Sequence, residues 1–312
     1  VRKSLLVVLI VPAFLLSACG DKGGDSAATP PAPQAWEVLA DRLVSDQHDD
    51  GSFSAAAGAY APFFDGGPTA SVTGLEGLGL LDAHLRTPNQ VWRAALDKAK
   101  DYLVDACVAY ASGAGSIALT DILFLKRYET AFGFTTADEA NAMGSAFHKI
   151  ALDYDATHGT DPSVYIDGVL NRIKEVRDAQ GLPALTAWDA GFLVKLLVAY
   201  GGNLNGADPQ WAFQFQKDRF AEVSPTDEGA AIAAAHSVDA LVMAGDHAID
   251  GAAIGLLSGL PPITNVQQAS YVRMAYTAVG SAVPDAIETL LRNEVDAGSA
   301  TTAGEALQAL LR

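Results

Sequence analysis

Hydrophobic and polar positions recur along most of this chain with the period of an α-helix, and the helices so predicted are of two kinds. Between residues 90 and 110, Trp92, Ala95, Leu96, Ala99, Tyr102, Leu103, Ala106, Cys107 and Tyr110 share one face, while Arg93, Asp97, Lys98, Lys100, Asp101 and Asp105 fill the other. Such a helix has one dry side and one wet side. Residues 187–200 carry only Asp189 and Lys195 as charges and stop at Gly201-Gly202. A helix apolar on nearly every side is predicted to be buried on most of them. Residues 69–85, rich in Gly and Leu, and 229–244, rich in Ala with His236 and Asp239 as the strongly polar members, read as further inner helices. Residues 208–223 set Trp211, Phe213, Phe215 and Phe220 against Gln216, Lys217, Asp218, Arg219 and Glu222, an outer pattern. A short amphipathic helix is predicted from about Trp36 to Asp46, and strand patterns are scarce.

Segments between Gly and Pro punctuation number on the order of 12 helices, joined by mostly short loops. Inner helices wrapped by outer amphipathic ones predict an all-α fold of the α/α toroid kind. Leu43-x-x-x-Gln47-x-x-x-Gly51-x-Phe53 is similar to the Gln-Trp repeat of terpenoid cyclases and related toroids, with Phe53 in place of the tryptophan. Gln47-His48-Asp49-Asp50-Gly51-Ser52-Phe53 also resembles turns of bacterial α/α-barrel proteins that handle sugars, with a partial echo at residues 176–181. In those families the motif is a structural turn, so the resemblance implies a fold and not a chemistry.

The first residues follow another pattern. Arg2 and Lys3 precede an apolar run from Leu5 to Leu16, which is shorter than the roughly 20 residues of a membrane-spanning helix, and small residues and Cys19 follow. Leu16-Ser17-Ala18-Cys19 resembles the bacterial lipobox. The resemblance implies cleavage before Cys19, lipidation of its sulfur and acylation (palmitate or a similar chain) of the new amino terminus, with Gly20 pointing to the outer membrane. Residues 20–34 are Gly-, Ser-, Ala- and Pro-rich, a composition too poor in apolar groups to offset the entropy of ordering. The expected organisation is a signal peptide over 1–18, a tether over 19–34 and one helical domain over 35–312.

Charge narrows the partners. The formal charge is −17, and cleavage before Cys19 removes the two cations Arg2 and Lys3 and no acid, which leaves −19. A chain so negative repels phosphates, which argues against nucleic acid and leaves a lipid anchor as the expected membrane contact. With Cys19 lipidated, Cys107 is left as a buried, inert thiol on the dry face of its helix.

Candidate chemistry rests on polar residues in apolar surroundings. Asp189 follows Trp188, the aromatic-carboxylate pairing of a sugar site, although Asp in an early turn also complements the helix dipole. His236 and Asp239 lie three apart on one helix face, either as an acid-base pair for glycan chemistry or as a hydrogen-bonded core pair. His48-Asp49-Asp50 offers ligands to a hard cation or simply makes a solvated turn, and Asp65 before Gly66-Gly67-Pro68 reads as a cap or turn residue. No zinc set, phosphate-binding loop, Gly-x-Ser-x-Gly elbow or His-Glu-x-x-His is found, so no metal or cofactor is expected. Two functions remain: a lipid-anchored envelope protein that binds or processes saccharides, or a non-catalytic helical scaffold of an envelope complex.

Overall fold

A computed structural model describes residues 33–53, 72–154, 183–201, 209–224, 226, 228–297 and 303–312, all within one compact unit, Pro33–Arg312. The lipobox-like stretch with Cys19, Asp65 and the residues 176–181 lie outside the described residues, as do the side chains of Trp188 and Asp189. The described residues form twelve helices and no strand, as the period of the sequence requires. They are α1 (Ala35–Asp46), α2 (Thr73–Arg86), α3 (Gln90–Ala111), α4 (Leu119–Phe132), α5 (Ala137–Tyr154), α6 (Pro183–Ala199), α7 (Pro209–Glu222), α8 (Glu228–Met243), α9 (Asp250–Ser258), α10 (Val266–Ala278), α11 (Asp285–Ala297) and α12 (Ala303–Leu311).

Local chemistry fixes several boundaries. Asn89 caps α3 by accepting from Val91 N–H at 2.8 Å, and Asn265 caps α10 by accepting from Gln268 N–H at 2.9 Å. Gly201, at φ +74°, ends α6 in the left-handed conformation where the sequence places a Gly-Gly stop.

The even-numbered helices pack in a closed order: α2 on α4, α4 on α6, α6 on α8, α8 on α10, α10 on α12, and α12 back on α2. Each described odd-numbered helix packs on one or two of these. Burial follows the same division. Residues 73–81 of α2, 190–196 of α6, 230–241 of α8 and 303–309 of α12 are buried without a break, whereas α3 buries Trp92, Ala95, Leu96, Ala99, Lys100, Leu103 and Cys107 at helical spacing. The inner helices read from the sequence, at 187–200, 69–85 and 229–244, are members of the even series where described.

Three of these neighbouring pairs are seen to run parallel from contacts along their length. At the N-terminal ends of α2 and α4, Gly74 N–H donates to Asp121 Oδ1 at 2.9 Å, and nearer their C-terminal ends Arg127 reaches Asp82 at 2.5 Å. The same ascending order joins α10 to α12, through Gln267 to Glu305 and then Arg273 to the Ala309 carbonyl. It joins α12 to α2 through Gly304 to Glu76 and then Arg86 to the Leu311 carbonyl.

One residue departs from its expected side. Lys100, on the polar face by period, is buried because α5 packs there and supplies Glu139 as its partner. Cys107 is buried as expected, and burial, helped by nearby Asp121, pushes its thiol up to about 12.

Candidate functional site

Polar residues at similar depths in different even-numbered helices meet between them. Acids gather in the early turns: Glu76 on α2, Asp121 on α4 and Glu305 on α12, all buried. Cations gather further along: Arg127 on α4, Lys195 on α6, Arg273 on α10, and Arg312 just beyond α12. This polarity matches the positive N-terminal and negative C-terminal ends of the helix dipoles. Asp121 ties two helix starts together by accepting from both Ala118 N–H and Gly74 N–H at 2.9 Å, and burial outweighs these bonds to push its carboxyl up to about 7.

The candidate site is the network around Asp239. Lys195 Nζ lies 2.7 Å from Asp239 Oδ2 and 3.4 Å from His236 Nδ1, and Arg312 Nη1 holds the other carboxylate oxygen, Oδ1. An ammonium can only donate, so His236 Nδ1 accepts and the ring proton sits on Nε2. Burial, with Lys195 and Arg312 close by, pulls the His236 pKa well below its ordinary 6.5 and keeps the ring neutral. Burial alone would raise Asp239, but the two cations outweigh it and hold the carboxylate low. Burial also pulls the Lys195 ammonium down, with Asp239 opposing and Arg312 and Arg127 reinforcing.

Aromatic rings surround this network. Phe192 lies 4.3 Å from the His236 ring between centroids, and Tyr271 meets the same ring edge-on at 5.5 Å. Burial, then Glu305, Asp239 and Glu76, push the Tyr271 phenol well above its ordinary 10.0. Close approach is allowed by Gly191, where a Cβ would stand 2.2 Å from His236 Cδ2. His236 and Asp239 are fully buried, and the Lys195 side chain is 7% exposed. The Arg312 side chain is 30% exposed.

The residues picked out in the sequence are thus divided. His236 and Asp239 share one network, with Lys195 between them, so the pair is bridged by a third residue. Asp189 stands on the same helix as Lys195. Asp50 is exposed, and its carboxylate accepts from Ser52 N–H at 2.9 Å and from Ser52 Oγ at 2.7 Å, which pulls its pKa down. The motif around it is a docking turn. Gln47 Nε2 donates to Gly51 O and to Ala95 O on α3, each at 2.9 Å, and Phe53 N–H donates to Thr73 Oγ1 at 3.0 Å. Gly51 has φ +91° and a Cβ there would stand 2.3 Å from Lys98 O, so the turn needs glycine both for its backbone and for contact.

Lys195 was visible in the sequence as a lone cation on an apolar helix. Arg312, Glu305 and Tyr271 carried no such signal. Among the described residues no three His, Cys, Asp or Glu side chains come together as a metal site. Nor is any helix among them long and apolar enough to cross a membrane. Comparison with known protein families, curated proteins and solved structures finds no match to this chain.

Proposed function

We propose that this is a lipid-anchored, non-catalytic protein of the bacterial cell envelope, an α/α toroid that works by binding. The carrying observation is the state of His236 and Asp239. A general acid or base must reach a substrate atom, yet both are fully buried and are engaged by Lys195 and Arg312. Breaking a buried ion pair from one side leaves a charge without its counterion and costs about 3–5 kcal/mol. Asp239→Asn should therefore lower the melting temperature by many degrees, and His236→Ala by several. Unchanged melting in both variants, or turnover of any member of a saccharide panel by the parent chain, would overturn the non-catalytic reading.

The anchor rests on Leu16 to Cys19 after a short apolar run. Replacing Cys19 by Ala should move the protein from the detergent phase to the aqueous phase, and continued detergent partitioning of that variant would refute lipidation.

A further inference from the structure

We infer that the end of the body where the chain enters α1 is a membrane-facing surface, and that its occupant is the bilayer that holds the Cys19 anchor. Arg86, at the end of α2, stands over the ring of Trp36 in the first turn of α1, 5.7 Å from its centroid. Trp36 in turn meets Trp92, at the start of α3, edge-on at 5.9 Å. Arg86 also donates to the Leu311 carbonyl at 3.3 Å, and His84 packs 5.5 Å from Phe132. The chain entry, the α2–α3 corner and the ends of α4 and α12 therefore share one end of the body. The end of α10 joins them, because α10 runs parallel to α12.

Reach ties this end to the membrane. Pro33, the first described residue, follows Cys19 by fourteen positions. At about 3.5 Å per residue that stretch spans at most about 50 Å. A compact body of the length of Pro33–Arg312 is itself about 50 Å across. For the opposite end to face the bilayer, the stretch would have to run the full width of the body at full extension. Every shorter path leaves the entry end nearest the lipid.

The chemistry of this end suits lipid. Val91 is 61% exposed and Leu85 50%, two of the five large hydrophobic residues exposed among the described ones. Phe132, Phe134, Val279 and Val283 are half-buried at the neighbouring corners. Residues 87–89, 133–136 and 279–284, which link the helices here, contain no acid in a chain with 37 Asp and Glu. Acids begin only in the first turns of α1, α5 and α11, at Glu37, Asp138, Glu139, Asp285 and Glu288, where they complement helix dipoles. Asp82 and Asp97, which bracket the α2–α3 corner, are paired with Arg127 and Arg93, and Arg86 between them is exposed. Charges more than about 10 Å away are screened, so the chain's −17 repels headgroups only through what stands at the facing end. The turn beyond α1, at the opposite end, exposes Asp49 and Asp50 instead. Two apolar side chains hold a bilayer too weakly to bind alone, but an anchor keeps them beside it at high effective concentration. The inference rests on the reading of Cys19 as that anchor and names the surface that the anchor brings to the membrane.

Two valines on one helix test it. Val108 is 56% exposed on α3, seventeen positions and therefore about 25 Å beyond Val91, so it marks the far end of the body. Full lipidated chains with Val91→Cys, Leu85→Cys or Val108→Cys are each labelled with a polarity-sensitive fluorophore. Cys107 stays unlabelled, because it is buried with its thiol pushed up to about 12. In phosphatidylcholine vesicles the labels at 91 and 85 should shift to shorter wavelength and be quenched by spin-labelled lipid, while the label at 108 keeps its emission in water. Flotation of the parent with the vesicles reads the anchor separately. Floating protein whose labels at 91 and 108 behave alike overturns the membrane-facing surface and leaves the anchor standing. A parent that does not float refutes the anchor, and the inference with it. Protection at 91 that grows with protein density but is untouched by spin-labelled lipid assigns this end to a second copy of the chain, and also overturns it.

Discussion

Single residues in this protein are held by partners far away in the chain, and Glu139 shows what such a partnership does to stability. Its Oε1 takes the Lys100 ammonium, and its Oε2 accepts from Thr135 N–H at 2.6 Å, Thr135 Oγ1 at 2.8 Å and Thr136 N–H at 2.8 Å. Burial works against the charge, but these bonds outweigh it and draw the carboxyl from 4.5 down to about 2. The folded state therefore binds this proton less readily than the unfolded chain does. The stabilisation is fully present above pH 4.5 and is lost as pH falls through about 2. Glu139→Gln should cost about 1–3 kcal/mol at neutral pH, and the gap to the parent should close as urea midpoints are measured down to pH 2. A gap independent of pH would show that Glu139 is not the titrating staple. None of this was legible in the sequence, where Lys100 falls on the polar face of its helix. The partners are 39 residues apart here, 41 for Lys195 and His236, and 73 for Arg312 and Asp239. Helical period says which side of a helix is dry, not which distant charge will be folded against it.

At the scale of elements the sequence is far more readable, because burial on all sides leaves a compositional trace. The apolar run at 190–196 and the Ala-rich run at 230–241 are buried throughout, and only inner helices can tolerate such stretches. The outer pattern of α3 emerges at the predicted spacing, with the one exception that α5 covers Lys100. The Gln47 to Phe53 turn was also legible as structure. Its Gln47 side chain and Phe53 N–H link the end of α1 to α3 and to the start of α2, so the turn marks a helix junction. His236 and Asp239 were legible as polar residues on an apolar helix that must find partners. The third member, Lys195, sits on a different inner helix, and only the packing of α6 on α8 brings its ammonium between them.

For the whole molecule the decisive contact is the seam where α12 returns to α2, because it joins the last helix of the closed order to the first. Gly79 on α2 faces Gly304 on α12 so closely that a Cβ at 79 would stand 2.4 Å from Gly304 O and 2.8 Å from Gly304 Cα. The obstacle is backbone, so no side chain can swing aside and the two helices would have to separate. Separation would strain the Gly304 N–H bond to Glu76 and the Gln308 bond to Leu75 O at 3.4 Å, both on the same seam. Alanine is the better helix former by about 0.5–1 kcal/mol, so in an open place the same substitution stabilises. Gly144 on α5 is such a place, exposed and with nothing within 4 Å of an added Cβ. Gly144→Ala should therefore raise stability by about 0.5–1 kcal/mol, whereas Gly79→Ala should lower it by about 1–3 kcal/mol despite the gain in propensity. Chemical denaturation of the two variants beside the parent decides the matter: opposite signs support a seam between α2 and α12 that admits no added carbon, and a neutral or stabilising Gly79→Ala would mean that α2 and α12 are free to part.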